Sequence, residues 1–283
     1  MSTHAGEPEE GTITIAPSHR TGWLSLALFP WWTIPILIAG IAVVVLVRTD
    51  AQYSTIWSQL QNGIGTTLRV SFIAFALSML IGLLIGLIRS NPPTAKSGFF
   101  RVLFYNLATL YVEVLRGLPI LVVILVIAFA IVPELVKFLN SIGMDVTVRD
   151  IPFDWRAIIA LTLTYAAFLS EVFRGGIQSV SKGQIEAAKS LGMTYIQIMR
   201  FVVLPQAIRR ILPPLGNDLI AMVKDSSLVA ILGVQDIAQL AKLTSSSTFR
   251  YLETYLIAAM IYLSMTLLGS LLVRWLERIF RTD

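Results

Sequence analysis

Asn217 and Lys224 stand seven residues apart, as do Asp218 and Asp225, inside a stretch that is otherwise apolar. On a helix that spacing returns each pair to nearly the same face, so two adjacent polar stripes share one side. Ser226 and Ser227 follow at once and add hydroxyls. A charge at the centre of a lone membrane helix costs about 2.5–3.5 kcal/mol on insertion scales, so such residues face a cavity or a partner. A small zwitterion needs a cation for its carboxylate and acceptors for its ammonium, and this segment supplies both. In the alternative reading, Lys224 and Asp225 hold a helix break or pair with other spans.

A second constellation runs from Glu186 to Pro205, a polar, charged stretch set between segments long enough to cross a bilayer. Charged chain in that position has to face water. Ile185, Ala188, Leu191, Tyr195, Ile198 and Val202 recur at spacings of three and four, which predicts an apolar stripe on a short helical pair. Ala187 and Ala188 keep the surface low, Gly192 permits a sharp turn, and Pro205 is expected to end the second helix. This pattern suits a surface gripped by a soluble partner; the alternative is an amphipathic connector lying on the headgroups. A third group, Glu113, Arg116, Glu171 and Arg174, flanks the inner ends of two spans. It forms either a gating or stabilising ion-pair cluster, or separate interfacial charges that snorkel to water. Snorkelling is also the expectation for Arg69.

Catalytic chemistry is missing. The chain has no cysteine, which excludes disulfides and thiolate metal sites. It contains no G-x-x-x-x-G-K-[ST] phosphate loop and no H-E-x-x-H; its two histidines, His4 and His19, fall in a polar N-terminal tail. No metal and no cofactor is expected in the chain itself. Uphill work would take its energy from a partner or an ion gradient.

The elements that hold these residues are membrane helices. The 283 residues are 55% hydrophobic and 14% charged, with a mean hydropathy of +0.75. A soluble domain carries about 25% charge. The apolar residues gather into blocks long enough for about 30 Å of hydrocarbon, predicting an all-α integral membrane protein with about six spans: Leu24–Val47, Ile64–Ile88, Tyr111–Val132, Trp155–Phe173, Ile211–Val234 and Tyr251–Trp275. The fifth is expected to be interrupted by Pro213-Pro214 and again by Lys224-Asp225. Trp23, Trp31, Trp32, Trp155 and Trp275 fall near span ends, where amphipathic rings favour the interface. Gly82 and Gly86 share a helix face and predict close helix packing within the bundle rather than a dimer seam.

Orientation follows from the basic residues. Arg20, Arg89, Lys96, Arg101, Arg116, Arg174, Lys182, Lys189, Arg200, Arg209, Arg210, Arg274, Arg278 and Arg281 fall on one side. Arg48, Lys137, Arg149, Arg156, Lys242 and Arg250 fall on the other. The richer side is cytoplasmic, which places both termini and the Glu186–Pro205 hairpin there. Asp145, Asp150 and Asp154 lie in an outer loop that is free to meet an extracytoplasmic partner. The net charge of +5 and pI near 9.6 come from these spread loops, so nucleic-acid binding is not expected. Residues 1–23 read as a disordered tail, and the first apolar block is too long for a cleaved signal peptide.

Glu186-Ala187-Ala188, Gly192 and Leu204-Pro205 resemble the EAA loop of ABC importer permeases. Glu171-Val172-Phe173-Arg174-Gly175-Gly176, Tyr111-Val112-Glu113-Val114-Leu115-Arg116-Gly117 with Pro119, and Leu212-Pro213-Pro214 with Asn217 and Lys224-Asp225-Ser226-Ser227-Leu228 resemble the polar amino-acid permease subfamily. The chain departs from that pattern at Leu118, Val123, Ser170, Val202 and Gln235-Asp236. The resemblance implies a five-helix type I ABC importer permease core over residues 63–276, with the EAA loop at 186–205. The helix at 24–47 is then an extra N-terminal span, and 277–283 a cytoplasmic C-terminal tail. It implies a bacterial plasma (inner) membrane location, an ABC ATPase dimer that binds ATP and Mg, a second permease subunit, same or homologous, and an extracytoplasmic amino-acid-binding protein. Two readings compete: an ion-coupled secondary transporter, which would show an internal repeat, and an ABC permease for another small polar solute. Replacing Asn217, Asp218, Lys224 and Asp225 one at a time is expected to change binding-protein-dependent uptake or its selectivity. Unchanged uptake and selectivity in all four variants would remove the stripe from the substrate path.

Overall fold

The computed structural model describes Trp31 and residues 33–280. The expected tail at 1–23, with His4 and His19, lies outside the described residues, as do Trp23, Trp32, Arg281 and the start of the first span. The chain divides into two compact units, residues 1–44 and 45–283. Helix α1 (Thr33–Thr49) is an apolar segment of 17 residues with Arg48 in its last turn. Asp50 then caps α2 (Ala51–Leu60), its carboxylate accepting from the Gln52 amide at 2.7 Å.

The larger unit is built around two long helices, α3 (Asn62–Ser90) and α6 (Phe153–Gln178), which run side by side in the same direction. Arg69 pairs with Asp154 at one end, Ser78 donates to the Thr162 carbonyl at 3.0 Å midway, and Gln178 donates to the Ser90 carbonyl at 3.3 Å at the other. Arg69 is therefore ion-paired rather than merely snorkelling, and Asp154 is spent on it. Glycine sets the separation. A Cβ on Gly82 would lie 3.0 Å from the Ala166 carbonyl oxygen, and one on Gly86 would lie 2.8 Å from that of Ser170. The pair packs within the chain, as its spacing predicts.

Between these helices the chain makes α4 (Phe99–Gly117) and α5 (Ile120–Ser141). The expected span Tyr111–Val132 is not one helix. Pro119 forces the preceding Leu118 into extended backbone (φ −96°, ψ 142°), so the apolar run is divided between two elements. Within α5 the residues Ile127–Ile131 form a π turn just ahead of Val132-Pro133. The Val132 amide there reaches the Ile127 carbonyl, leaving the Ala128 carbonyl free. Arg156 takes it at 3.2 Å, while also bonding the Ile151 and Val148 carbonyls and lying 4.6 Å over the Phe153 ring. Beside it, the Thr147 backbone N–H and hydroxyl hold the exposed Asp150 carboxyl below its ordinary range.

Beyond α6 come α7 (Lys182–Ser190), α8 (Tyr195–Ile198), a π turn at Met199–Val203 and α9 (Leu204–Asp225). Two expectations fail here. Pro205 does not end a helix: it directly follows the π turn and lies in the first turn of α9. Nor do Pro213-Pro214 break the chain, since both lie inside α9. The break falls at Ser226–Leu232, a 3-10 turn closed by Gly233 at φ 79°. Helix α10 (Ile237–Thr248) then packs against the start of α3, where a Cβ on Gly63 would come within 2.5 Å of the Ile237 nitrogen. Helix α11 (Tyr251–Phe280) completes the unit and runs through Glu277, where a tail was expected.

Every described element is helical. Four stretches are long and apolar enough to cross a membrane, residues 51–90, 120–141, 153–178 and 251–279. Helix α9 is outside that set because of its charges, and α1 because of its length. The core lies between α3, α5, α6 and α9, with Val70, Ala74, Ile124, Leu161, Leu169, Met222 and Val229 buried in it. Overpacking a helix contact costs about 1–3 kcal/mol. Gly86→Val is accordingly expected to lower the thermal midpoint of the detergent-solubilised protein, whereas Gly65→Ala, which meets no neighbouring atom, should leave it unchanged. Equal midpoints for the two variants would contradict the close approach.

Candidate functional site

The Glu186–Pro205 hairpin folds as a small structure of its own. Ser181 and Thr194 cap α7 and α8: the Ser181 hydroxyl accepts from the Gln184 amide, and Thr194 with Gln197 forms a reciprocal capping box. Gly192 takes φ 77°, a left-handed conformation that glycine adopts without steric cost, and turns the chain between them. Val180, Ala188, Ile198 and Val203 are buried together, flanked by Ile185, Met193, Met199 and Val202. The expected apolar stripe therefore splits. Ala188 is inside the hairpin, not on a surface open to a partner, because a helix this short has only one face to pack on the next. Glu186, Ala187, Gly192, Leu204 and Pro205 are exposed. So are Leu191 (82%), Tyr195 (71%), Ile196 (76%) and Phe201 (63%). Of these four, Ile196 and Phe201 escaped the spacing argument.

The hairpin is fixed to the helix that follows. Across the Met199–Val203 π turn the Leu204 amide bonds the Met199 carbonyl. Gln206 donates to the Gln184 side chain at 2.9 Å and to the Val202 carbonyl at 3.0 Å, and Arg210 donates to the Ser179 carbonyl. A continuous helical path thus leads from Tyr195 to Asp225, where the polar stripe sits.

Asn217 and Lys224 are exposed on that path, while Asp218 and Asp225 are half-buried. Tyr165 of α6 donates its hydroxyl to Asp225 at 2.7 Å. The side chains of Lys224 and Asp218 have no hydrogen bond or ion pair among the described residues. Ser226 is buried and spends its hydroxyl on the Val223 carbonyl at 2.8 Å, and Ser227 is half-buried. The arrangement leaves the Lys224 ammonium exposed and the Asp218 carboxyl half-buried, about 120° apart around α9.

The four charges expected as an ion-pair cluster do come together, around a fifth that sequence reasoning missed. Arg89, at the end of α3, is only 9% exposed and pairs with Glu171, and its guanidinium lies 3.7 Å from Glu113. Arg174 donates to Glu171 at 3.1 Å and Arg116 approaches it at 4.0 Å. The cluster ties α3, the end of α4 and α6 at the hairpin end of the bundle. Arg89 sits directly before a Ser-Asn-Pro-Pro breaker and reads as a loop charge; only its spacing from Gly82 and Gly86 points it toward α6. A second site was missed at the opposite end. Asp236 is fully buried as the cap of α10, accepting from the Gln239 amide at 2.8 Å and the Tyr262 hydroxyl at 3.0 Å. Among the described residues no group of His, Cys, Asp and Glu is arranged to hold a metal ion.

Residues 94–282 match the family model described as "Binding-protein-dependent transport system inner membrane component". Over 222 residues the chain is 36% identical to the "Probable glutamine ABC transporter permease protein GlnM" of Bacillus subtilis, covering 78% of this chain and 93% of that protein. It is 32% identical over 222 residues to the "Arginine transport system permease protein ArtQ" of the same organism, covering 78% and 92%. A solved structure, "Crystal structure of an amino acid ABC transporter with histidines", is similar with a TM-score of 0.64 and 38% identity, over 78% of this chain and 94% of that one.

Glu171 is 18% exposed at the centre of the cluster and Glu113 is 68% exposed at its edge. Removing one partner of a fully buried charge pair costs about 3–5 kcal/mol and exposed pairs contribute about 0–1 kcal/mol; the partly buried Glu171 falls between these limits and Glu113 at the lower one. Glu171→Gln should therefore lower the thermal midpoint sharply and Glu113→Gln hardly at all. The reverse order would contradict the arrangement.

Proposed function

The chain belongs to the family of binding-protein-dependent transport system inner membrane components, and we propose that it serves as the permease subunit of an ATP-driven importer for a polar amino acid. It is a multi-pass inner-membrane protein and carries no ATPase site of its own. Two copies, or this chain and a homologue, form the pathway; a separate ATPase dimer holds ATP and Mg; an extracytoplasmic binding protein delivers the solute. Both termini and the hairpin face the cytoplasm, in keeping with the distribution of Lys and Arg.

The single observation that supports this reading best is the exposed apolar rim of the hairpin, at the end of a helical path that reaches the membrane charges. Leu191, Tyr195, Ile196 and Phe201 stand in water on a fold that the buried Ala188 and Ile198 make rigid. Exposed apolar groups gathered on one small element mark a protein contact. A nucleotide-driven displacement of that contact is carried along α8 and α9, because a packed helix moves as a body where a loop would dissipate the motion. At the far end it shifts Lys224, Asp218 and Asn217, which provide a cation for a carboxylate and acceptors for an ammonium. The similar proteins named for glutamine and arginine both transport amino acids by name, and the stripe suits the backbone zwitterion that all amino acids share.

The hairpin supplies the test. Leu191→Glu and Phe201→Glu place charges on its exposed rim and should leave membrane insertion and thermal midpoint intact. They should abolish co-purification of the nucleotide-binding subunit and reduce uptake by at least tenfold. Ala188→Glu should instead destabilise the hairpin itself. Full uptake with either rim variant would overturn the docking assignment, as would accumulation of solute by vesicles containing no ATPase.

A further inference from the structure

Helix α11 carries a polar stripe of its own. Thr266, Ser270, Arg274 and Glu277 follow one another at spacings of four, four and three, which gathers them on one face of the helix. All four fall within residues 251–279, a stretch long and apolar enough to cross a membrane. Ionisable side chains in such a stretch face a cavity or a partner rather than lipid.

Here there is a cavity. About 310 Å³ opens between α9 and α11, lined by Asn217, Ser270, Val273, Arg274 and Glu277. The two helices pass closely at this point: a Cβ on Gly216 would come within 2.4 Å of the Val273 side chain, and one on Gly269 within 3.3 Å of Ile220. Those contacts set an antiparallel register, with Gly216 against Val273 and Ile220 against Gly269. They bring the α11 stripe beside Asn217, the hairpin-side member of the Asn217–Lys224 pair. Val273 and Glu277 also border an adjoining, largely apolar opening.

What the lining leaves unpaired defines its ligand. The Ser270 hydroxyl is spent on the Thr266 carbonyl at 2.8 Å. Arg274 donates through Nε to the Ser270 carbonyl at 3.2 Å, and its two terminal nitrogens have no partner among the described residues. The half-buried Glu277 carboxylate and the Asn217 side chain have no hydrogen bond or ion pair among those residues either. Arg274 and Glu277 stand three apart, within pairing reach on a helix, yet they do not close on each other. A ligand of one charge would leave the other group unmet. One carrying both signs on neighbouring atoms satisfies both.

We propose that this cavity is an amino-acid subsite on the hairpin side of the pathway. The solute carboxylate lies at Arg274, its ammonium at Glu277, and the Asn217 amide meets a polar side chain. Lys224 stands seven residues, about 10 Å, farther along the same face of α9, so a solute moving from Lys224 toward the hairpin side passes this cavity. The inference rests on the importer reading and adds to it the α11 residues that hold the solute before release.

The test is binding to the full assembly in nanodiscs, with permease and ATPase subunits present and the extracytoplasmic binding protein left out. Each of the twenty amino acids is titrated by calorimetry. The tightest binder is then compared with its decarboxylated amine and its deaminated acid, both of which should bind at least about tenfold more weakly. Arg274→Gln is expected to weaken the amino acid by a similar factor and leave the amine unchanged. Glu277→Gln should weaken the amino acid and leave the deaminated acid unchanged. Arg274→Lys should recover part of the loss, with all thermal midpoints at the unsubstituted value. No binding by any amino acid would overturn the site, as would analogues that bind as tightly as the amino acid. So would an affinity that falls with Lys224→Gln but not with Arg274→Gln or Glu277→Gln, which would confine the solute to α9. Normal binding by those two α11 variants, with ATP-driven uptake intact, defeats the subsite alone. Accumulation by vesicles containing no ATPase defeats the importer reading whatever the titrations give.

Discussion

A single run of helix joins the exposed hairpin to the charges near the end of α9, and the rest of the fold depends on its continuity. From Tyr195 to Asp225 the chain never leaves helical backbone, although three prolines lie in its path. The bilayer explains why. Backbone amides and carbonyls in hydrocarbon have no water to bond, so a spanning segment stays helical unless protein or water satisfies the groups a break would free. Proline at 205 directly follows a π turn, in which the Leu204 amide bonds the Met199 carbonyl. The same device recurs in α5: a π turn stands ahead of Val132-Pro133, as another stands ahead of Leu204-Pro205. Widening the helix by one residue makes room for the proline ring and releases a carbonyl, which in α5 is bonded by Arg156.

Against this run stands a second assembly built for fixed contact. Helices α3 and α6 approach so closely that a Cβ on Gly86 would force the Ser170 backbone to shift and one on Gly82 would press on the Ala166 carbonyl. Ser78 bonds across the gap, and ion pairs close both ends. Small residues at the seam suit packing in lipid, where no hydrophobic gain is available to hold helices together. Helix α9 touches this pair through Ala207, Ile211 and Met222, and through the Tyr165–Asp225 bond. A mechanical division follows, with a tightly seamed pair on one side and a helical run anchored at its hairpin on the other.

The sequence made much of this legible and concealed the rest for identifiable reasons. Apolar blocks placed the long helices, and the Gly82–Gly86 spacing placed their seam, because both signals are local. The apolar run predicts a span at Ile211–Val234, whereas α9 starts earlier, at Leu204, and ends at Asp225, where the expected interruption at Lys224-Asp225 does fall. Misreadings came where one local rule competed with another. Pro119 divides an apolar run that a hydropathy window reads as one span. Pro205, Pro213 and Pro214 look like breakers until the demand for satisfied backbone in hydrocarbon outweighs them. Ala188 lies on the predicted stripe but faces inward, since spacing gives a face and not the partner it packs on. Arg89 and Asp236 act through residues some 80 and 26 positions away, which spacing within a segment cannot reveal.

The continuity of the run from hairpin to membrane charge is the central claim, and distances between spin labels test it most directly. With labels at Gln197 and Ile220, and separately at Gln197 and Ile88, distances are measured in the reconstituted full assembly with and without nucleotide. The account predicts that the Gln197–Ile220 distance stays constant while the Gln197–Ile88 distance changes. A Gln197–Ile220 distance that shifts as much as the other would contradict it, since the helix would then bend where it is required to carry motion.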